Sequence, residues 1–225
     1  IIDQVVPCGH CYACRKGRPN VCGNLQVRGV HIDGGYREYM AVPDTDCYLV
    51  PDMLSDTEAV MIEPTTIAVQ CCSRAQLESE DTVLIIGSGA LGSSILRIVK
   101  QFQPRKIIVS DIDDAKLEEA LKNGATDVIN SLKEDVPARC HELTDGYGVT
   151  VSIDAACVKT SLITALNATG SAGRVITMGF SVAPTEVNQF AITSKELDVR
   201  GSRLQNRKFQ DVIDLINAGK IDLRG

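Results

Sequence analysis

Val83-Leu84-Ile85-Ile86 runs straight into Gly87-Ser88-Gly89-Ala90-Leu91-Gly92. A short, continuous apolar run marks a strand covered on both faces, as in a parallel sheet. After the glycines, Leu91, Ile95, Ile98, Val99 and Phe102 recur at helical spacing, and Pro104 bars further helix. The alternation continues with strands at 106–109, 127–130, 149–153, 174–178 and 197–199. Helical patterns fill the gaps at 117–121, 133–143 (broken near Pro137) and 158–168. Six strands with intervening helices between 81 and 203 predict an α/β protein with a doubly wound parallel sheet. A last helical stripe, Phe209, Val212, Ile213 and Ile216, closes at Gly219.

The glycine turn gains meaning from its place between strand and helix. Gly87 allows a tight turn, Gly89 lets backbone N–H groups approach a pyrophosphate, and Gly92 lets helix and strand pack closely. The helix N-terminus then presents partial positive charge to the phosphates. Asp111 ends the second strand, 24 residues beyond Gly87. A carboxylate there suits the ribose hydroxyls of NAD and repels the 2′-phosphate of NADP, and no arginine stands immediately beside it. The competing reading is a glycine turn in an α/β protein that binds no nucleotide.

The first 80 residues follow another logic. Residues 1–25 carry Cys8, Cys11, Cys14 and Cys22 with few apolar residues between them. Such a segment buries too little to hold its own shape. The Cys-x2-Cys-x2-Cys-x7-Cys spacing brings four thiolates within reach of one Zn²⁺ and leaves no position open for water, as in a structural site. A bacterial iron–sulfur run would place its fourth cysteine sooner and follow it with proline, whereas Gly23 follows here. Residues 27–50 read as short strands with a turn at Gly34-Gly35, and 55–77 as helical with Pro64 opening a new helix. Cys71-Cys72 reads as helix-face burial, Cys47, Cys140 and Cys157 as structural thiols, and His141 as a surface residue.

Composition limits the partners. The 225 residues carry a formal net charge of −6, with no long basic run, which argues against nucleic acid and anionic membranes. No apolar stretch is long enough to span a bilayer. Nine cysteines, four of them clustered, fit a reducing cytoplasm better than a disulfide scaffold. The chain starts at Ile1 with no methionine and no secretory signature, and it reads as a piece of a longer protein.

A four-cysteine lobe ahead of a nucleotide-binding βαβ unit resembles the zinc-containing medium-chain alcohol/polyol dehydrogenases over nearly the whole chain. The resemblance is carried by Cys8-Gly9-His10-Cys11-Tyr12-Ala13-Cys14, Gly29-Val30-His31-Ile32-Asp33-Gly34-Gly35, Met61-Ile62-Glu63-Pro64, the glycine turn and Met178-Gly179-Phe180. Glu63-Pro64 is similar to the sorbitol/threonine dehydrogenase branch. Ile153-Asp154-Ala155-Ala156-Cys157 and Gly201-Ser202-Arg203-Leu204 are similar to bacterial sugar-acid dehydrogenases of the L-galactonate type and their starvation-sensing relatives.

The resemblance implies a Rossmann domain at 66–205 and part of a GroES-like β catalytic domain at 1–65, with its zinc lobe at 1–25. Residues 206–225 would begin the return to the catalytic domain. Cys8, Cys11, Cys14 and Cys22 match the structural zinc ligands, and Glu63 the carboxylate at the catalytic zinc. Leu91, Asp111 and Lys116 match NAD contacts, Met178, Gly179 and Phe180 the loop beside the nicotinamide, and Arg203 a basic residue near substrate and cofactor. From the residues alone, Glu63 reads equally as an acid at a helix start, and Arg203 as a solvated charge after a strand. The family's catalytic cysteine and Gly-His-Glu segment would lie before Ile1, so the fragment is expected to turn over weakly. The implied activity is zinc-dependent, NAD-linked oxidation of a polyol or sugar acid by a cytoplasmic homo-oligomer (dimer or tetramer). A non-catalytic NAD-binding sensor, or a polyol-phosphate or threonine-type dehydrogenase, is the alternative.

Overall fold

A computed structural model describes residues 1–223, which fall into two compact units. One comprises Ile1–Gln70 together with the segment from Arg203 onward; the other is Cys71–Ser202. In chain order the elements are β1 (Val5–Val6), α1 (Tyr12–Arg15), β2 (Gln26–Val27), α2 (Asp56–Ala59) and α3 (Ile62–Ala75). Next come β3 (Thr82–Ile86), α4 (Ala90–Val99), β4 (Lys106–Asp111), α5 (Asp114–Lys122), β5 (Asp127–Asn130) and α6 (Val136–Glu142). The last are β6 (Val149–Asp154), α7 (Ser161–Ala168), β7 (Thr169–Thr177), α8 (Phe190–Thr193), β8 (Asp198–Gly201) and α9 (Phe209–Asn217).

In the larger unit six parallel strands lie in the order β5-β4-β3-β6-β7-β8. The order reverses direction between β3 and β6, where Leu84 faces Ser152 and Ile86 faces Asp154. Ligands of doubly wound sheets bind beyond the strand ends at such a reversal. Helices cover the strands, and Leu84, Ile86, Ile108, Ile129, Val149, Leu166 and Val175 share one buried cluster. That double cover is why the strands read as unbroken apolar runs. Arg174 ties the opposite end of the sheet together, donating to the carboxylate of Asp81 and to the carbonyls of Ala75 and Gln76.

The smaller unit is less regular. β1 and β2 pair antiparallel, Val5 opposite Val27. Beyond Val27 the expected strands of 27–50 do not form; isolated bridges join Arg28 to Ile32 and Ile2 to Cys47. A strand exists only where a partner ladder meets it, and Tyr36 and Tyr39 are exposed. Cys47, expected to be a structural thiol, is exposed too. The Tyr48 ring stacks on Phe209 with centroids 5.0 Å apart.

Two prolines sit differently from expectation. α3 starts at Ile62, leaving Pro64 as its third residue, still within the turn whose N–H groups have no helical acceptor. Pro137 opens α6 rather than breaking it, because Asp135 caps the helix by accepting from Ala138 N at 2.8 Å. Among the described residues no helix is long and apolar enough to cross a membrane.

Candidate functional site

The sulfur atoms of Cys8, Cys11, Cys14 and Cys22 all lie within 4.8 Å of one another. α1 supplies Cys14, with Cys11 at its N-terminus, and a 3-10 turn at Pro19–Val21 delivers Cys22. A tetrahedron with Zn–S bonds near 2.3 Å has sulfur–sulfur edges of about 3.8 Å. Cys11 lies 3.5 Å from Cys14 and 3.8 Å from Cys22, so the cage fits that ion. The nine cysteines are free, and no disulfide competes for these sulfurs.

Backbone N–H groups point at the sulfurs: Cys8 N and Asn24 N lie 3.3 Å from Cys22 Sγ, and Cys11 N lies 3.4 Å from Cys8 Sγ. N–H groups of Cys14 and Gly23 pull the Cys11 thiol down to about 6, and those of His10 and Cys11 lower Cys8. Cys14 is pushed up to about 12 by desolvation and by its neighbouring thiols. Thiolates are thus favoured one at a time and oppose one another when gathered, which a divalent cation at the centre would relieve. His10 bonds the Cys8 carbonyl and His31 accepts from Val27 N, so neither joins the cage.

In the larger unit the glycine turn stands at the sheet's reversal. Gly87 has φ +95°, and a Cβ there would lie 2.9 Å from Ala156 N. A Cβ on Gly92 would sit 1.9 Å from Gly87 O, so α4 approaches the turn more closely than any other residue allows. At Gly89 a Cβ would meet nothing within 4 Å, leaving open space against the backbone. Leu91 lies in the first turn of α4.

The Asp111 carboxylate at the end of β4 accepts from Ser88 N at 2.6 Å, Ile112 N at 2.8 Å and Asp113 N at 3.1 Å. It therefore braces the glycine turn directly and keeps acceptor capacity to spare. Lys116 and Ser88 line a cavity of about 270 Å³ with Gly89, Ala90 and Ser93. Met178 is buried, while Gly179 and Phe180 are exposed just past β7.

The remaining candidates lie in the smaller unit. Glu63, on the first turn of α3, is half-buried and accepts from Gln4 Nε2 at 2.5 Å. Burial raises its pKa against the lowering by that bond. Gln4 Oε1 is buried with no partner, an orphan acceptor beside this carboxylate. Among the described residues only the four cysteines form a group of three or more metal-ligating side chains, so Glu63 belongs to no such group. The Arg203 side chain is exposed, and its carbonyl accepts from Asn20 Nδ2 at 2.8 Å.

The sequence reading gave no role to Gln4 or Asp154. Gln4 shows no sequence signal. Asp154 shows one: an acid ending an otherwise apolar strand.

Residues 90–218 match the family described as zinc-binding dehydrogenase, and residues 1–52 match the alcohol dehydrogenase GroES-like domain. The starvation-sensing protein RspB of Escherichia coli K12 is 42% identical over 221 residues, covering 98% of this chain and 65% of RspB. Sorbitol dehydrogenase of Bacillus subtilis is 29% identical over 225 residues, covering 99% of this chain and 64% of that protein. A crystal structure of RspB from E. coli CFT073, described as a short chain alcohol dehydrogenase complexed with cofactor NADH, superposes with a TM-score of 0.93 at 42% identity. That match covers 99% of this chain and 66% of the other. The chain spans just under two thirds of the length of these curated relatives.

Proposed function

The chain belongs to the zinc-binding dehydrogenase family, and on that premise we propose that the whole protein moves hydride between a secondary alcohol of a polyol or sugar acid and NAD. The observation that carries this reading is Asp111, whose carboxylate braces the glycine turn from the end of β4. In that place an acid can accept ribose hydroxyls and disfavours a 2′-phosphate. The NADH complex of the 42%-identical RspB supports NAD as the cofactor, and the similarity to a sorbitol dehydrogenase supports a polyol-like substrate.

When bound, the dinucleotide supplies the hydride acceptor, and a catalytic zinc would supply a Lewis acid for the alcohol oxygen. The residues of this chain do the holding. Gly87, Gly89, Leu91 and Gly92 would cradle the pyrophosphate, with Lys116 beside the adenosine ribose. Met178, Gly179 and Phe180 would lie against the nicotinamide. Glu63 would bind or approach the catalytic metal, with Gln4 orienting its carboxylate. Arg203 would pair with a substrate carboxylate, for which its planar fork suits better than an ammonium. Cys8, Cys11, Cys14 and Cys22 would hold a structural zinc.

In domain terms, 1–65 would belong to the GroES-like catalytic domain, 66–205 to the NAD domain, and 206–225 to the return. Nine unbridged cysteines support a cytoplasmic setting, and family analogy supports a homodimer or tetramer. With Glu63 in no cluster of three or more metal-ligating side chains among the described residues, this chain is expected to bind NADH yet turn over weakly.

The test is a panel of aldonates, polyols, polyol phosphates and threonine with NAD and the whole protein, scored by kcat/KM. Turnover confined to the polyols or aldonates supports the reading. Zinc and NADH binding without turnover on any of them would favour a sensor, the alternative suggested by the name of RspB.

A further inference from the structure

We propose that Asp154 is a positioning residue for the dinucleotide site, its carboxylate fixing a turn that backs the cleft at both ends. This deepens the NAD-binding reading above and rests on it.

Asp154 ends β6 at the reversal of the sheet and is only 2% exposed. Its carboxylate accepts from Cys157 N at 2.9 Å, from Ser161 Oγ at 2.8 Å and from the N–H of Ala156. No cation pairs with it among the described residues; its partners are three neutral donors from the segment it opens. An acceptor-only group suits three converging donors, whereas an amide would turn its own N–H groups toward one of them. Burial raises the carboxyl pKa, as expected where hydrogen bonds alone offset desolvation.

The turn so held touches both loops assigned to the cofactor. On one side Ala155 N donates to Ile86 O at 3.0 Å, and Ala156 packs so tightly on Gly87 that a Cβ there would lie 3.1 Å from the alanine Cβ. On the other side Cys157, held at φ +54°, takes the N–H of Met178 on its sulfur. A Cβ on Gly179 would lie 3.6 Å from Cys157 Cβ. Cys157 is thus half-buried packing behind the Met178–Phe180 loop. One carboxylate sets the distance between the pyrophosphate turn and the nicotinamide loop.

The experiment compares this chain with its Asp154→Asn and Asp81→Asn variants. Asp81 is a buried acid at the opposite end of the same sheet, bonded to Arg174, Thr150 and Glu78 N. Each protein is titrated with NADH and with ADP-ribose, and amide hydrogen exchange is followed without ligand. Asp154→Asn is expected to weaken NADH binding about tenfold. ADP-ribose should lose less, because it lacks the ring that the Met178 loop would face. Exchange should quicken at Gly87 and Met178. Asp81→Asn should lower the melting temperature yet leave NADH affinity within about twofold.

Unchanged NADH affinity and exchange in Asp154→Asn, or an equal loss in Asp81→Asn, overturns the proposal. If the wild-type chain binds no NADH, the dinucleotide reading fails, and exchange at Gly87 and Met178 still decides the role of Asp154. Should Asp154→Asn not fold, Ser161→Ala removes one partner of the carboxylate, and the same readouts apply.

Discussion

Gly92 and Asp111 show how closely single residues govern the shape of the glycine turn. A methyl group at 92 would meet Gly87 O at 1.9 Å, and backbone cannot step aside as a side chain can. Gly92→Ala is expected to cost about 1–3 kcal/mol of stability, as overpacking does, and to abolish NADH binding; denaturant melts and a titration check both. Asp111→Asn should weaken NADH about tenfold, since charge-assisted bonds exceed neutral ones, and narrow the preference over NADPH, measured as the ratio of dissociation constants. The place of Asp111 at the end of β4 was legible in the sequence because it closes the apolar run that follows the glycine turn. Asp154 carries the same local signal, an acid closing an apolar run, yet its meaning was hidden. Its donors come from the turn it opens, and the contacts of that turn with Gly87 and Met178 exist only after folding. The cysteines divide likewise: Cys71 and Cys72 are buried as their helix face implied, whereas Cys47 is not.

Elements buried on both faces announced themselves; elements that need a distant partner did not. β3 and β6 were readable because nearly all of their residues are buried. Residues 27–50 alternate like strands, but only Gln26–Val27 finds a ladder among the described residues. Helix starts depended on caps that composition hides, such as Asp135 ahead of Pro137. Another start, at α5, makes a pH prediction. Asp114 accepts from Lys133 Nζ and from Asn130 Nδ2, both at 2.6 Å, joining the helix to the end of β5. Lys133 first, and Asn130 second, hold its carboxyl below the usual range. A depressed acid stabilises above its unfolded pKa of about 3.9, and the effect is lost as pH falls through the folded value. Asp114→Asn is therefore expected to destabilise at neutral pH, with the gap closing on the acid side. Denaturant midpoints across that range read it directly.

Across the molecule, the four-cysteine cage and the glycine turn belong to different units, one gathered around sulfur and the other around a sheet with its own core. A structural zinc contributes about 10–16 kcal/mol in small zinc peptides. Stripping it with a strong chelator is expected to release one zinc per chain, open residues 8–24 to protease and leave NADH binding intact. Two tightly held zincs by metal analysis would contradict the ligand count. The cage also differs from the sheet in how its parts are spread along the chain. Its four sulfurs fall between residues 8 and 22, whereas Leu84 must wait for Ser152 before its strand has a neighbour on that side. Loop closure favours the nearer partners, and synthesis runs from the N-terminus. The cage can therefore close before the sheet, whose strands await partners much farther along the chain. Zinc withheld during folding is then expected to cost the smaller unit its order while the sheet still forms.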